Sequence, residues 1–326
     1  MNIPGEEART MANEELCNKQ PIKVRPHHLM CLHCLKGGGD PPDREAADLD
    51  GLLDEIEADR NTLLTLETAF DCMGGPTTFP TEHDPATRRK DLQVLRALNL
   101  VPDETRCAFW MLGTWMPDKI PTLEGICQLG GESGPAWKEC PLAYSGAYEQ
   151  GLEAGIVKQR PKEEMEAAKE ASCEEMFSAD RLRIRAHHLL CIMAYYGSER
   201  EEPLEVDNLY EAIVIMRENP DIEVELIEGT CMICPPCTGY DPGREICDAG
   251  CGLRDRLKDL NTFQVFGLQP GDVRTARELY DLVWERIPDI CTICENPGNL
   301  IPEWANCGGV TGDRYQKALD RGKFTE

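Results

Sequence analysis

Cys231, Cys234 and Cys237 stand in the run CMICPPC, three thiols at C-x-x-C-x-x-C spacing. That spacing lets one tight loop deliver three thiolates to a [4Fe–4S] cube, the fourth ligand arriving from a distant cysteine. Pro235 and Pro236 stiffen the loop and remove two backbone donors. Cys191, Cys247 and Cys251 are the candidates for the fourth ligand. Zinc is the rival cofactor, because Cys231/Cys234 and Cys291/Cys294 make two C-x-x-C pairs suited to a tetrahedral all-thiolate site. The pairs lie further apart than in the usual zinc ribbons, and one zinc would leave several thiols unused. Iron–sulfur is therefore the preferred expectation.

These residues recur in a pattern. IKVRPHHLMCLHC (22–34) matches LRIRAHHLLCIMA (182–194) without a gap, aligning Arg25, His27, His28 and Cys31 with Arg185, His187, His188 and Cys191. LETAFDCMGGP around Cys72 parallels LIEGTCMICPP around Cys231, and RKDLQVLRALNLVPDE (89–104) parallels LKDLNTFQVFGLQPGD (257–272). Cys127 and Cys140 are spaced as Cys294 and Cys307 are, and both distal cysteines end a Pro-x-Trp-x-x-Cys sequence containing Trp137 or Trp304. Blocks in the same order predict a tandem duplication. The first copy keeps Cys31, Cys72, Cys127 and Cys140, the four thiolates that one metal or one cubane needs, while Cys34 and Cys107 are extras.

The paired histidines have two readings. Neighbours on a helix point about 100° apart, so both should not easily reach one ion, yet either can share the face of the cysteine three or four residues on. His187 or His188 would ligate, hydrogen-bond a sulfur or act as acid–base; alternatively each pair caps a helix start. Arg25 and Arg185 either neutralise cluster charge or form exposed strand ends. The two tryptophans read as covers that keep water from metal.

The elements that must position these groups are legible in outline. In the second copy LRIR is a short strand, HHLLCIMAYYG a helix ended by Gly197, LEVDNLYEAIVIMREN an amphipathic helix and EVELIEG a second strand. Helices follow near 252–260 and 271–286. The expected class is α/β, with α+β as the variant: two homologous small domains, each a short sheet covered by helices and carrying cysteine-rich loops. The expected divisions are a disordered tail (1–21), a first repeat (22–152), a linker helix (153–181) containing Cys173, and a second repeat (182–326).

Composition narrows the function classes. A formal charge of −25 repels phosphate backbones and anionic lipids, so neither nucleic acid nor a membrane is an expected partner. The N-terminal residues lack the apolar segment of a secretory signal, and the odd cysteine count opposes a closed disulfide set. Both point to a cytoplasmic setting. No Walker loop, dinucleotide fingerprint, nucleophile elbow or HExxH helix is present.

With Arg-x-His-His-Leu-Leu-Cys, the C-x-x-C-P loop and the C-x-x-C…Trp…Cys block in view, each copy resembles the domain of unknown function 1284 family. The resemblance covers most of 22–152 and 182–322 and implies an iron–sulfur-binding protein. Its pattern falls on Arg185, His187, His188, Cys191, Cys231, Cys234, Cys247, Cys291, Cys294, Trp304 and Cys307. The family is usually single-copy, and Cys237 and Cys251 depart from its pattern. The expected function is a cytosolic iron–sulfur protein moving electrons to a redox partner protein. The alternatives are an enzyme with an open cluster and a histidine acid–base, or a structural zinc protein.

Overall fold

The computed structural model describes residues 20–68, 85–247, 253–294 and 312–325. Cys72, Cys251, Cys307, Trp304 and almost all of the expected tail lie outside them. The chain is a mixed α/β protein whose contacts divide it into two compact units, one within Met11–Lys158 and one comprising Gln159–Glu326.

The N-terminal unit runs β1 (Ile22–Val24), α1 (Pro26–Lys36), α2 (Leu49–Ala58), β2 (Leu63–Leu66), α3 (Pro85–Leu98) and β3 (Thr105–Cys107). A π-turn, Met111–Trp115, joins α4 (Ala108–Trp110) to α5 (Met116–Lys119). The small hairpin β4 (Gln128–Leu129) and β5 (Glu132–Ser133) and helix α6 (Ala147–Ala154) follow. β1 and β2 are parallel, Ile22 facing Leu64, and β3 adds antiparallel on the other edge of β2. A parallel pair cannot be joined by a tight turn, which is why α1 and α2 lie between its strands.

The C-terminal unit opens with α7 (Lys162–Ser178). It continues β6 (Arg181–Arg185), α8 (His188–Gly197), α9 (Leu209–Glu218), β7 (Glu223–Ile227), the hairpin β8 (Tyr240–Asp241) and β9 (Ile246–Cys247), and α10 (Leu253–Phe266). β10 (Val273–Thr275), α11 (Ala276–Arg286), α12 (Cys291–Cys294) and α13 (Arg314–Arg321) complete it. Its sheet order is β10-β7-β6, with β6 parallel and β10 antiparallel to β7. Alternation places Leu182, Ile184, Val224 and Leu226 in the core, while Arg181 pairs with Glu223 across the outer face.

Two expectations shift. The segment expected as one helix over 271–286 begins as strand β10, because Val273 and Thr275 suit an edge pairing with β7. Helix α11 then starts at a capping box of Thr275 and Glu278. The helix expected between the repeats forms, and its Met176 side chain lies in the core of the C-terminal unit. Among the described residues no helix is long and apolar enough to cross a membrane.

In each unit the histidine-bearing helix meets the last helix at a glycine. A β-carbon on Gly37 would lie 1.9 Å from the Ala147 carbonyl oxygen, and one on Gly197 only 1.7 Å from the Arg314 carbonyl oxygen. Tyr148 donates from the last helix to the Ile120 carbonyl at 2.7 Å, and Tyr315 to the Ile287 carbonyl at 2.8 Å. Gly197→Ala is therefore expected to force α8 and α13 apart and cost about 3 kcal/mol or more, the upper end of overpacking. Urea unfolding checks it, and a loss near the roughly 1 kcal/mol gained or lost at ordinary helical glycines would refute the close approach.

Candidate metal centre

The site is built around a carboxylate on a helix face that would otherwise be apolar. In α3 the buried residues are Asp91, Val94, Leu95 and Leu98, so Asp91 takes the first place of an i, i+3, i+4, i+7 stripe. Its Oδ2 accepts from Arg25 Nε at 3.0 Å and Nη2 at 2.5 Å. Its Oδ1 accepts from His27, at 3.4 Å from the backbone and 2.6 Å from Nδ1. Asp259 on α10 repeats this arrangement. It takes Arg185 Nε at 3.1 Å and Nη2 at 2.7 Å, His187 N at 3.1 Å and His187 Nδ1 at 2.8 Å. Burial works against a charged Asp259, yet the His187 hydrogen bond and the Arg185 charge hold its carboxyl below the usual range.

This corrects the reading of the arginines as exposed strand ends: Arg25 is 1% and Arg185 2% exposed. Each guanidinium can be buried because one carboxylate oxygen accepts from both its Nε and Nη2 in charge-assisted bonds. The first histidine of each pair is thereby fixed at the start of its helix, its side chain binding the aspartate and not capping the helix. With Nδ1 donating to one aspartate, Nε2 faces a second acid, Asp43 in the N-terminal unit and Asp255 in the C-terminal one, and an outer carboxylate on Nδ1 is the arrangement that orients a metal-binding imidazole. Burial pushes His187 down to about 4, against the opposing Asp259 hydrogen bond, so its ring is neutral.

The second histidine meets sulfur. His188 Nδ1 lies 3.1 Å from Cys231 Sγ, and Cys231 Sγ lies 3.9 Å from Cys234 Sγ. Ligand atoms of His188, Cys231 and Cys234 fall within 4.8 Å of one another, as do those of His187, His188 and Cys191. Burial would raise the Cys231 thiol, but hydrogen bonding from Cys234 and the neighbouring His188 hold it well below its ordinary value. Cys234, sharing that proton, is pushed up. The Cys231 turn is rigid: Cys234 N donates to the Cys231 carbonyl at 2.9 Å and Cys237 N to the Cys234 carbonyl at 2.8 Å.

No protein-family model, curated protein or solved structure matches the chain. The site's chemistry must therefore be read from its own geometry.

Among the described residues, other thiols of this unit have surroundings of their own. Cys247 donates to Asp255 Oδ2 at 3.3 Å on the His187 side of the site, where Asp255 Oδ1 stands 3.8 Å from His187 Nε2. Cys294 is buried beside Tyr315, and Cys291 is held up by burial and then Asp289. The Cys237 carbonyl accepts from Arg160 at 3.2 Å. Cys173, set apart in the sequence, sits on α7 with its sulfur 3.7 Å from Asn208 Oδ1.

In the N-terminal unit Cys34, Cys127 and Cys140 stand close enough to Cys31 to act on it electrostatically, though burial is the larger cause of its raised thiol. Cys34, an extra by sequence, joins them, placed one turn beyond Cys31 on α1. Burial first, then Cys140, pushes the Cys34 thiol up to about 12. Trp137 lies over this end of the unit, 6.3 Å from His27 edge to face, with Nε1 donating to Gln93 at 2.8 Å.

The acidic partners, Asp43, Asp91, Asp255 and Asp259, escaped the reading of the sequence. For Asp91 and Asp259 the available signal was an aspartate repeated at the same place in two matched blocks, with apolar residues four and seven positions on.

Proposed function

We propose that the chain is a metal-binding protein whose C-terminal unit holds one tetrahedral ion, with zinc as the expected metal, on Cys231, Cys234 and His188. Cys191 is the candidate for the fourth position. The observation that carries this reading is the 3.9 Å sulfur–sulfur separation with an imidazole nitrogen 3.1 Å from the same sulfur. Metal–sulfur bonds near 2.3 Å give a tetrahedral edge of about 3.8 Å. Thiolates on neighbouring corners of a cubane stand roughly 6–7 Å apart. The geometry therefore favours the zinc alternative over the [4Fe–4S] cluster that the cysteine spacing suggests.

A set of four protein ligands leaves no open coordination position, which suits a structural ion better than a catalytic one. Its task would be to tie the loop after β7 to the first turn of α8. The same order of strands, the paired Arg–Asp–His groups and the Tyr–carbonyl bonds support reading the two units as copies, in keeping with the family resemblance.

The test is anaerobic purification of the full chain with zinc, iron and acid-labile sulfide measured per chain. Zinc without sulfide is the expected result. Several irons with matching sulfide would overturn the mononuclear reading and return Cys237 and a cluster to the site.

A further inference from the structure

We infer that the N-terminal unit carries a second, chemically different site: a divalent transition-metal ion bound by His27, His28 and Asp43 with water in its open positions. This goes beyond the thiolate site of the C-terminal unit and does not depend on it.

Both imidazoles approach one carboxylate oxygen. Asp43 Oδ2 lies 3.1 Å from His27 Nε2 and 3.6 Å from His28 Nε2. Adjacent helical residues do not easily reach one ion, yet this helix start brings both rings to one carboxylate oxygen. At the first turn of α1 the ring centroids stand 4.3 Å apart, inclined by 65°, and both Nε2 atoms reach the loop that brings Asp43 back over the helix start. The three ligand atoms lie within 4.8 Å of one another. With metal–nitrogen and metal–oxygen bonds of about 2.0–2.2 Å, ligand edges of about 2.8–3.6 Å follow for octahedral and tetrahedral ions, and the two separations from Asp43, 3.1 and 3.6 Å, fall in that range.

The surroundings fit an ion with the same logic. His27 Nδ1 donates to Asp91 at 2.6 Å, so Nε2 is the nitrogen that faces Asp43, and it becomes a ligand lone pair when an ion displaces its proton. Asp91 is in turn held by the Arg25 fork, giving an outer shell that sets the ring's tautomer and direction. His27 and His28 are buried at 1% and 5% exposure, whereas the Asp43 side chain is 39% exposed. The site is thus anchored inside and open to solvent on its carboxylate side. Two histidines and one carboxylate leave positions for water or an exogenous ligand, and the donor set suits zinc or ferrous iron.

The neighbouring Cys31 supplies the competing possibility, a thiolate-bound ion, and cobalt(II) separates the two. A cobalt ion bound by sulfur shows an intense sulfur-to-metal charge-transfer band in the near ultraviolet; one bound by nitrogen and oxygen shows only weak ligand-field bands. The full chain, stripped of metal and titrated anaerobically with cobalt(II), should bind two equivalents, one with and one without the charge-transfer band. Asp43→Ala changes a partly exposed loop side chain and is expected to leave the fold intact by circular dichroism. It should weaken the equivalent lacking the band by more than about 100-fold, beyond the 10–100-fold that an outer-shell loss costs, and leave the other unchanged. His28→Ala should do the same. Unchanged binding in Asp43→Ala, or loss of charge-transfer intensity in it, would overturn the assignment. Absence of the thiolate equivalent with the other retained would count against the zinc site alone.

Discussion

Cys231→Ser combined with Cys234→Ser is expected to abolish the thiolate-bound ion and to destabilise the C-terminal unit by up to about 10 kcal/mol, the scale of structural zinc in small domains. The reason lies in the burial of both sulfurs, at 8% and 7% exposure, against an imidazole. A thiolate placed there without a cation carries a desolvation cost that the metal removes. The measurement is thermal unfolding with and without a strong chelator. Wild type should lose its extra stability when chelator is added, and the double variant should show no chelator dependence. The N-terminal unit should respond to chelator alike in wild type and in the double variant. A wild-type transition indifferent to chelator would leave Cys231 and Cys234 as a buried dithiol with no structural ion.

Asp259→Asn is the second large effect, expected to cost about 3–5 kcal/mol because it strips the charge partner from a buried guanidinium. Asp259 binds Arg185 through two nitrogens and His187 through two more, so one carboxylate fastens the end of β6 and the start of α8 to α10. Replacing the pair together, Arg185→Met with Asp259→Leu, should recover most of the loss, since well-packed apolar residues of similar volume often match a buried ion pair. The comparison is Arg183→Ala on the same strand. Its partner Glu225 is 3.7 Å away with the arginine 48% exposed, and its loss should stay under about 1 kcal/mol. Urea unfolding of the three variants beside wild type reads all these values. Equal losses at Arg183 and Asp259 would show that the buried carboxylate carries no special share of the fold.

The sequence was informative where chemistry is local. Strand, helix, helix, strand over LRIR to EVELIEG follows from period-2 and period-3.6 patterning, and the observed strands and helices of the C-terminal unit fall where that patterning put them. The short β10 did not show, because three residues before a helix cannot display alternation of their own; their pairing with β7 does that work. The same limit hid the aspartates. A charged residue inside an apolar stripe reads as an interruption until the arginine that fills it, 66 or 74 residues away in sequence, is brought alongside.

Sequence alone determined that this chain is rich in metal-ligating groups and that the Arg-x-His-His…Cys pattern occurs twice. Those are properties of residue type and spacing, and spacing along a loop is enough to bring Cys231 to Cys234. Only the tertiary structure decided which groups meet. It set His188 against Cys231, turned His187 to Asp259, drew Cys34 into the company of Cys31, Cys127 and Cys140, and aimed two neighbouring histidines at Asp43. The physical reason is that a ligand set is a matter of ångströms across the fold. Metal–ligand bonds of 2.0–2.3 Å tolerate errors of a few tenths of an ångström. The direction of a side chain on the first turn of a helix depends on the strand end and the loop that hold it, not on its own place in the chain.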